Sequence, residues 1–325
     1  MRNRVVEIGE SPARLRVERR QLVIARTVAG VDVEDRLPLE NLAVLILAHP
    51  HVSLTLPVLT ELTDAGGMVV LSDASRMPCG LLLPTAAHGT QTQRMRAQLE
   101  LSQPRCKQIW RQLVRGKIAS QAALLRDRTD GDAGLGELIG KVRSGDPANV
   151  EAWAAKRYWS ALFGSDFRRD RDAGGCNAML NYGYAVLRAT VARAVCAAGL
   201  HPSLGVHHHH RGNAFCLADD VIEPFRPVVD AAVLDLQDRV GTETELSGEV
   251  RGELLAALLG EMDIGGETRT LFDAVSRTAS SLAAVIDGGP VEIALPTSVA
   301  RPKTPSGAAR SRRNTSDAET SRAAG

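Results

Sequence analysis

Cysteine is scarce and scattered: Cys79, Cys106, Cys176, Cys196 and Cys216 are an odd five, with no close pair of the kind that frames a zinc site or a redox disulfide. They read as small, mostly buried side chains. Long apolar runs are missing as well. No stretch reaches the roughly 18 uninterrupted apolar residues that a membrane span requires, and Arg2, Arg4 and Glu7 crowd Val5 and Val6, so no signal-peptide core is visible. A cytoplasmic protein with no membrane part is expected. Net charge is nearly absent, +1 over 325 residues. That balance neither excludes nor requires a nucleic-acid partner, because a basic stripe on one face can be offset by acids elsewhere. There is no internal repeat.

What is present suits a globular fold. With 44% hydrophobic and 24% charged residues, the chain can bury a sizeable core, and its length fits two compact units better than one. The first eighty or so residues are strand-rich: Arg4 to Gly9 alternates, and Arg14 to Val17 and Leu22 to Ala25 flank the polar Glu18-Arg19-Arg20-Gln21 as a hairpin would. The apolar run Leu42 to Ala48 follows. Ser53 to Ala65 carries Leu54, Val58, Leu59 and Leu62 at helical spacing and is stopped by Gly66-Gly67, after which Met68 to Leu71 reads as a buried strand. Cys79 to Pro84 adds a candidate strand.

From about Gln91 the period becomes helical, with interruptions expected at Pro104 and Gly116. Asp146-Pro147 supplies an oxygen-bearing cap followed by a proline, which predicts a helix to Phe163 with Glu151 near its beginning. Leu180, Tyr184, Leu187, Val191 and Val195 form an amphipathic stripe ending before Gly199, with Arg188 and Arg193 turned away from it. Further helices are expected at Val228 to Gln237, Gly248 to Leu259 and Thr268 to Ile286. From about Thr297 large apolar residues become few. The resulting expectation is an α+β fold: a small β-rich domain over residues 1–88, a larger all-α domain over 89–290, and a disordered tail over 291–325.

The densest chemistry lies between Gly199 and Asp230. His207-His208-His209-His210 is followed closely by Asp219, Asp220 and Glu223. Imidazole and carboxylate are the ligands of an Mg2+- or Mn2+-type site, with histidine shifting the preference toward manganese. The same residues also fit an exposed polar loop whose aspartates cap the next helix, or a tight Ni2+ or Zn2+ sensor built on the four histidines. Asp220 stands three residues before Glu223 and shares a face with it if the segment is helical, while Pro224 suggests a bend at Glu223. Arg94, Arg96, Arg111, Arg115, Lys117, Arg168, Arg169 and Arg226 read either as solvated charge or as a phosphate-tracking surface. Tyr158, Trp159, Tyr182 and Tyr184 read as core or interface packing.

The stretch from Asn177-Ala-Met-Leu-Asn-Tyr-Gly-Tyr through Glu223-Pro-Phe-Arg-Pro resembles the CRISPR-associated spacer-acquisition integrase, in the branch found beside type II effector nucleases. Glu151-Ala-Trp-Ala-Ala-Lys-Arg-Tyr-Trp is similar to that family's first acidic motif, and the order of elements agrees over residues 1 to about 290. The resemblance implies a β-rich dimerisation domain followed by a helical catalytic domain. It also implies a metal-dependent DNA endonuclease and integrase, with Glu151, His208 and Glu223 as catalytic metal ligands for Mg2+ or Mn2+. Beside them, Asp220 reads as a support for those ligands or as an alternative ligand, His207 as a support, and Arg94, Arg111, Lys117, Arg168, Arg169 and Arg226 as candidate DNA contacts. The implied partners are double-stranded DNA as protospacer and repeat, a second copy of the chain, a small ferredoxin-like CRISPR-associated subunit, and the type II effector nuclease.

Overall fold

The computed structural model describes residues 4–28, 30–84, 88–241 and 245–299. In chain order its N-terminal part holds β1 (Arg4–Ile8), β2 (Ala13–Glu18), β3 (Gln21–Val28), β4 (Val31–Pro38), β5 (Leu42–Leu47), β6 (Val52–Leu54), α1 (Leu56–Asp64), β7 (Met68–Ser72) and β8 (Pro78–Leu82). Two four-stranded sheets result. One has the order β1-β5-β7-β8, parallel except for β8, and the other the order β4-β3-β2-β6. Arg19 and Arg20, both at positive φ, make the two-residue turn between β2 and β3, a twist that matches the flanking strands.

The unbroken apolar run of β5 follows from burial on both faces. Leu42 and Leu45 join Leu15, Leu22, Val58 and Leu62 between the two sheets, whereas Val44 and Ile46 face the helical core with Met68 and Val70. Strand β4 is unforeseen in the sequence because it is exposed on both faces through Arg36. Its ladder with β3 and the cross-strand pairs Arg16–Glu34 and Arg36–Glu18 hold it instead. The helix expected from Ser53 starts at Leu56, since residues 52–54 pair with β2.

The second part contains α2 (Gln91–Leu99), α3 (Gln103–Arg128), α4 (Leu135–Ile139), α5 (Val150–Phe163), α6 (Cys176–Ala197), α7 (Cys216–Val221), α8 (Arg226–Val240), α9 (Gly248–Ala257), β9 (Glu261–Ile264), β10 (Glu267–Thr270) and α10 (Leu271–Ile286). Pro104 sits in the first turn of α3, as a break there requires, but Gly116 does not interrupt that helix. A Cβ at Gly116 would lie 2.8 Å from Leu295 and 3.4 Å from Pro224. The glycine serves close packing, not termination. The helix expected from Thr268 begins at Leu271, because Gly265 and Gly266, both at positive φ, turn a β9–β10 hairpin just before it.

Helix α6 is more central than an amphipathic stripe implies, with 16 of its 22 residues buried. Arg193 reaches from it to the Gly66 carbonyl, tying it to the sheet region. The two parts are joined again through Arg251, which is 1% exposed and pairs with Glu7 at 2.7 Å and Glu10 at 3.0 Å, while the Tyr182 hydroxyl donates to Glu7 at 2.9 Å. Residues 291–299, expected to belong to a disordered tail, are packed: Leu295 lies against Gly116, Gln112 accepts the Ile293 N–H, and Thr278 donates to the Ala294 carbonyl. Val291, Ile293 and Leu295 pack, partly buried, against the helical core. The rest of that expected tail, 300–325, lies outside the described residues.

Candidate metal and phosphate site

Four elements converge. Helix α5 brings Glu151 in its first turn; its start is fixed from upstream, where the Asp146 carboxylate accepts the N–H groups of Val150 at 3.0 Å and Glu151 at 2.9 Å. Asp146 caps four residues early because Asn149 occupies the left-handed region at φ 52°. A single tight 3-10 turn, Glu223–Phe225, carries Glu223 between α7 and α8. Pro224 thus makes the expected joint, though the chain stays helical in character through it. Helix α3 supplies Lys117, and the loop 201–215 supplies the histidines.

Lys117 Nζ lies 2.6 Å from Glu151 Oε1 and 2.6 Å from Glu223 Oε2. One ammonium therefore bridges the two carboxylates, with the lysine side chain 12% exposed and Glu223 6% exposed. Arg226 Nε donates to Glu223 Oε1 at 2.9 Å. Burial pushes the Glu223 carboxyl upward, but the charges of Arg226 and Lys117 outweigh it and hold the acid at about 2. Glu223 is anionic throughout the physiological range.

The histidine loop is organised by Asp220, which is fully buried. Its two oxygens accept the N–H groups of Val206 at 2.7 Å, His207 at 3.1 Å and His208 at 3.2 Å, and meet His208 Nδ1 at 2.7 Å. With Nδ1 committed, Nε2 is the nitrogen left to bind. The Asp220 hydrogen bond raises the His208 pKa, and the charge of Glu223 acts in the same direction. Burial lowers the His207 pKa against the opposing pull of the Asp220 charge, and the His207 ring stacks on Trp110 at 4.0 Å with an interplanar angle of 2°. His209 and His210 are exposed.

Among the described residues no three His, Cys, Asp or Glu side chains stand in a ready metal cluster. The donors nonetheless suit a hard divalent cation: two carboxylates drawn to one positive charge, and an imidazole oriented through its rear nitrogen by a carboxylate.

Beside this centre lies a cleft of about 660 Å³ whose walls include Arg169, Arg171, Arg188, Arg226 and His208. A smaller one, about 240 Å³, contains Lys117 and Glu223 and shares Arg169, Arg171 and Arg226. Arg169 is held by Asn177 and Asn181, and Arg226 lies over the Tyr184 ring at 4.7 Å. Sequence reading offers Lys117 as solvated charge or as a DNA phosphate contact, whereas here it pairs with Glu151 and Glu223; it leaves Arg171 and Arg188 out of the site. Nothing in a helical pattern marks which lysine turns inward. Arg94 is elsewhere, pairing with Asp287 and the Ala198 carbonyl to seat α2; Arg168 is exposed and caps local carbonyls; Arg111 is half-buried, with its Nε unpartnered among the described residues.

Comparison with known proteins identifies the family. The family model for CRISPR associated protein Cas1 matches residues 6–249. The CRISPR-associated endonuclease Cas1 of Neisseria meningitidis serogroup C is 37% identical over 291 residues, covering 88% of this chain and 94% of the relative. In fold the chain is similar to a casposase bound to integration product, with a TM-score of 0.72 at 20% identity over 87% of this chain and 90% of the other. A Cas6-RT-Cas1–Cas2 complex gives a TM-score of 0.67 at 19% identity, over 88% of this chain and 35% of the other. The chain belongs to the Cas1 family.

Proposed function

We propose that this chain is a metal-dependent DNA integrase and endonuclease that inserts captured double-stranded DNA as new spacers into a CRISPR repeat array. The observation that carries the proposal is the approach of Glu151 and Glu223 to a single point, beside an arginine-lined cleft onto which His208 opens. In the reaction a 3′-hydroxyl of the captured duplex attacks a phosphodiester of the repeat: a new P–O bond forms, the old one breaks, and its oxygen leaves as a free 3′-hydroxyl. Water in place of the hydroxyl gives cleavage.

Glu151, Glu223 and His208 Nε2 would hold Mg2+ or Mn2+, which when bound lowers the pKa of the attacking hydroxyl and neutralises charge on the phosphoryl oxygens. Asp220 fixes the His208 tautomer and the loop behind it, and the stack on Trp110 fixes His207. Arg169, Arg171, Arg188 and Arg226 orient the strand through its phosphates, so that reacting atoms meet without further ordering. No outside energy source enters, since one phosphodiester is exchanged for another.

Two insertion points separated by a repeat require paired active sites, so we further propose a homodimer built through the N-terminal domain, residues 1–88, with the helical domain, 89–290, carrying catalysis. Exposed Val28, Val31 and Val33 at the edge of the β4 sheet support that use. A small ferredoxin-like CRISPR-associated subunit would bridge dimers; the Cas1–Cas2 complexes among the fold relatives support it. The type II branch, the matching effector nuclease as partner, and a cytoplasmic setting complete the proposal. No described helix is long and apolar enough to cross a membrane.

The experiment is strand transfer of a labelled duplex into a plasmid bearing the repeat, with Mn2+ or Mg2+. Glu151→Gln, His208→Ala and Glu223→Gln should each lower integration by about 10²-fold or more while leaving DNA binding measurable. Undiminished strand transfer in all three would instead make the chain a DNA-binding scaffold.

A further inference from the structure

The feature the proposed reaction does not use is the ammonium between the two acids. Lys117 is 2.6 Å from both Glu151 and Glu223, and among the described residues it is the cation that reaches Glu151. Arg226 covers only the other oxygen of Glu223. Two carboxylates facing one another in a largely buried site repel strongly unless a positive charge stands between them. In this conformation that charge is the lysine.

The arrangement is built in. Gly116, immediately before Lys117, faces Pro224 of the Glu223–Phe225 turn at contact distance, and a Cβ there would press on Leu295. The lysine stem leaves a rigid 26-residue helix, so its ammonium is delivered to a fixed place. Its four-carbon stem can also withdraw it, and the cleft of about 240 Å³ that it lines offers the room.

We infer that Lys117 is the protein's own counter-ion for the Glu151–Glu223 pair and competes with the divalent cation for it, so that metal binding requires the ammonium to leave. This rests on the metal reading of the site proposed above. A cation bound to the same oxygens would stand close to the ammonium, and the two positive charges would repel in a poorly solvated setting. The lysine thus holds the two acids assembled in the metal-free chain and lowers their apparent affinity for metal.

The test is Mn2+ titration of the full chain by calorimetry, with free Mn2+ followed in parallel by electron paramagnetic resonance, together with melting in EDTA and in Mn2+. Lys117→Met should bind Mn2+ about tenfold more tightly than the unsubstituted chain, melt lower in EDTA, and gain more from Mn2+. Lys117→Gln, closer in shape and equally uncharged, carries the same expectation if the methionine variant folds poorly. Lys117→Arg keeps the charge and should bind no more tightly than the unsubstituted chain. Equal or weaker Mn2+ binding by the uncharged variants, with Glu223→Gln still losing the metal, overturns competition and leaves the site reading standing. Unchanged Mn2+ binding in Glu223→Gln overturns the site reading and this inference with it.

Discussion

The imidazole of His208 is anchored through Nδ1, at 2.7 Å, to Asp220, a carboxylate with no exposed surface at all. The same carboxylate takes three consecutive backbone N–H groups, from Val206 to His208. One side chain therefore sets both the loop conformation and the orientation of the ring. Asp220→Ala would strand those donors and should cost on the order of 3 kcal/mol in urea unfolding. Asp220→Asn keeps the volume and part of the accepting capacity, and should keep most of the stability while weakening Mn2+ affinity by about 10- to 100-fold. Calorimetric titration of a folded Asp220→Asn chain checks this, and an unchanged affinity would deny Asp220 its orienting role.

Asp230 predicts a pH dependence. It is buried, and that burial lifts its pKa to about 6 from an ordinary 3.8, although hydrogen bonds from the Tyr158 and Tyr184 hydroxyls pull it down. Between those values the folded chain keeps a proton that the unfolded chain has released. The associated stability is fully present below the lower value and is lost as pH rises through about 6. It amounts to roughly 3 kcal/mol at most. Asp230→Asn should flatten the slope of melting temperature against pH from 4 to 6.5. Glu223, held at about 2, has the opposite sign and acts at lower pH, contributing stability that is lost as pH falls from 4.5 toward 2. An unaltered slope in Asp230→Asn removes the assignment.

The arginines separate binding from chemistry. Arg171 and Arg188 line the large cleft without pairing to Glu151 or Glu223. Substituting either by Gln should weaken duplex binding uniformly across sequences and reduce the slope of log K against log salt by about 0.9. Mn2+ binding should stay as it was. Fluorescence anisotropy over a salt series measures the first, and a slope unchanged in the double variant would place the DNA elsewhere.

How much of this the sequence carries depends on what kind of signal each residue leaves. Apolar period and punctuation reveal β5, the hairpin around Arg19-Arg20, α5 to Phe163 and the stripe of α6, because burial imposes that pattern directly. Strand β4 leaves none, since its charged residues pair across the sheet. The Gly265-Gly266 turn was a usable signal for β9–β10, masked by the helical period that follows it. Gly116 reads as a helix breaker only while Leu295 and Pro224 are unseen. In the site, Glu151, His208 and Glu223 stand out through family motifs. The buried bridge of Lys117 and the four-fold duty of Asp220 are tertiary facts, set by where α3, α7 and the histidine loop meet.

The proposed chemistry requires Glu151, His208 and Glu223 to close on one divalent cation. A crystal of the chain with duplex DNA and Mn2+, measured for anomalous scattering from manganese, tests it most directly. An anomalous peak is expected in contact with Glu151, Glu223 and His208 Nε2, with the Lys117 ammonium moved off the two acids. A peak seated on His209 and His210 and remote from Glu223, or one that leaves Lys117 still bridging Glu151 and Glu223, would contradict it.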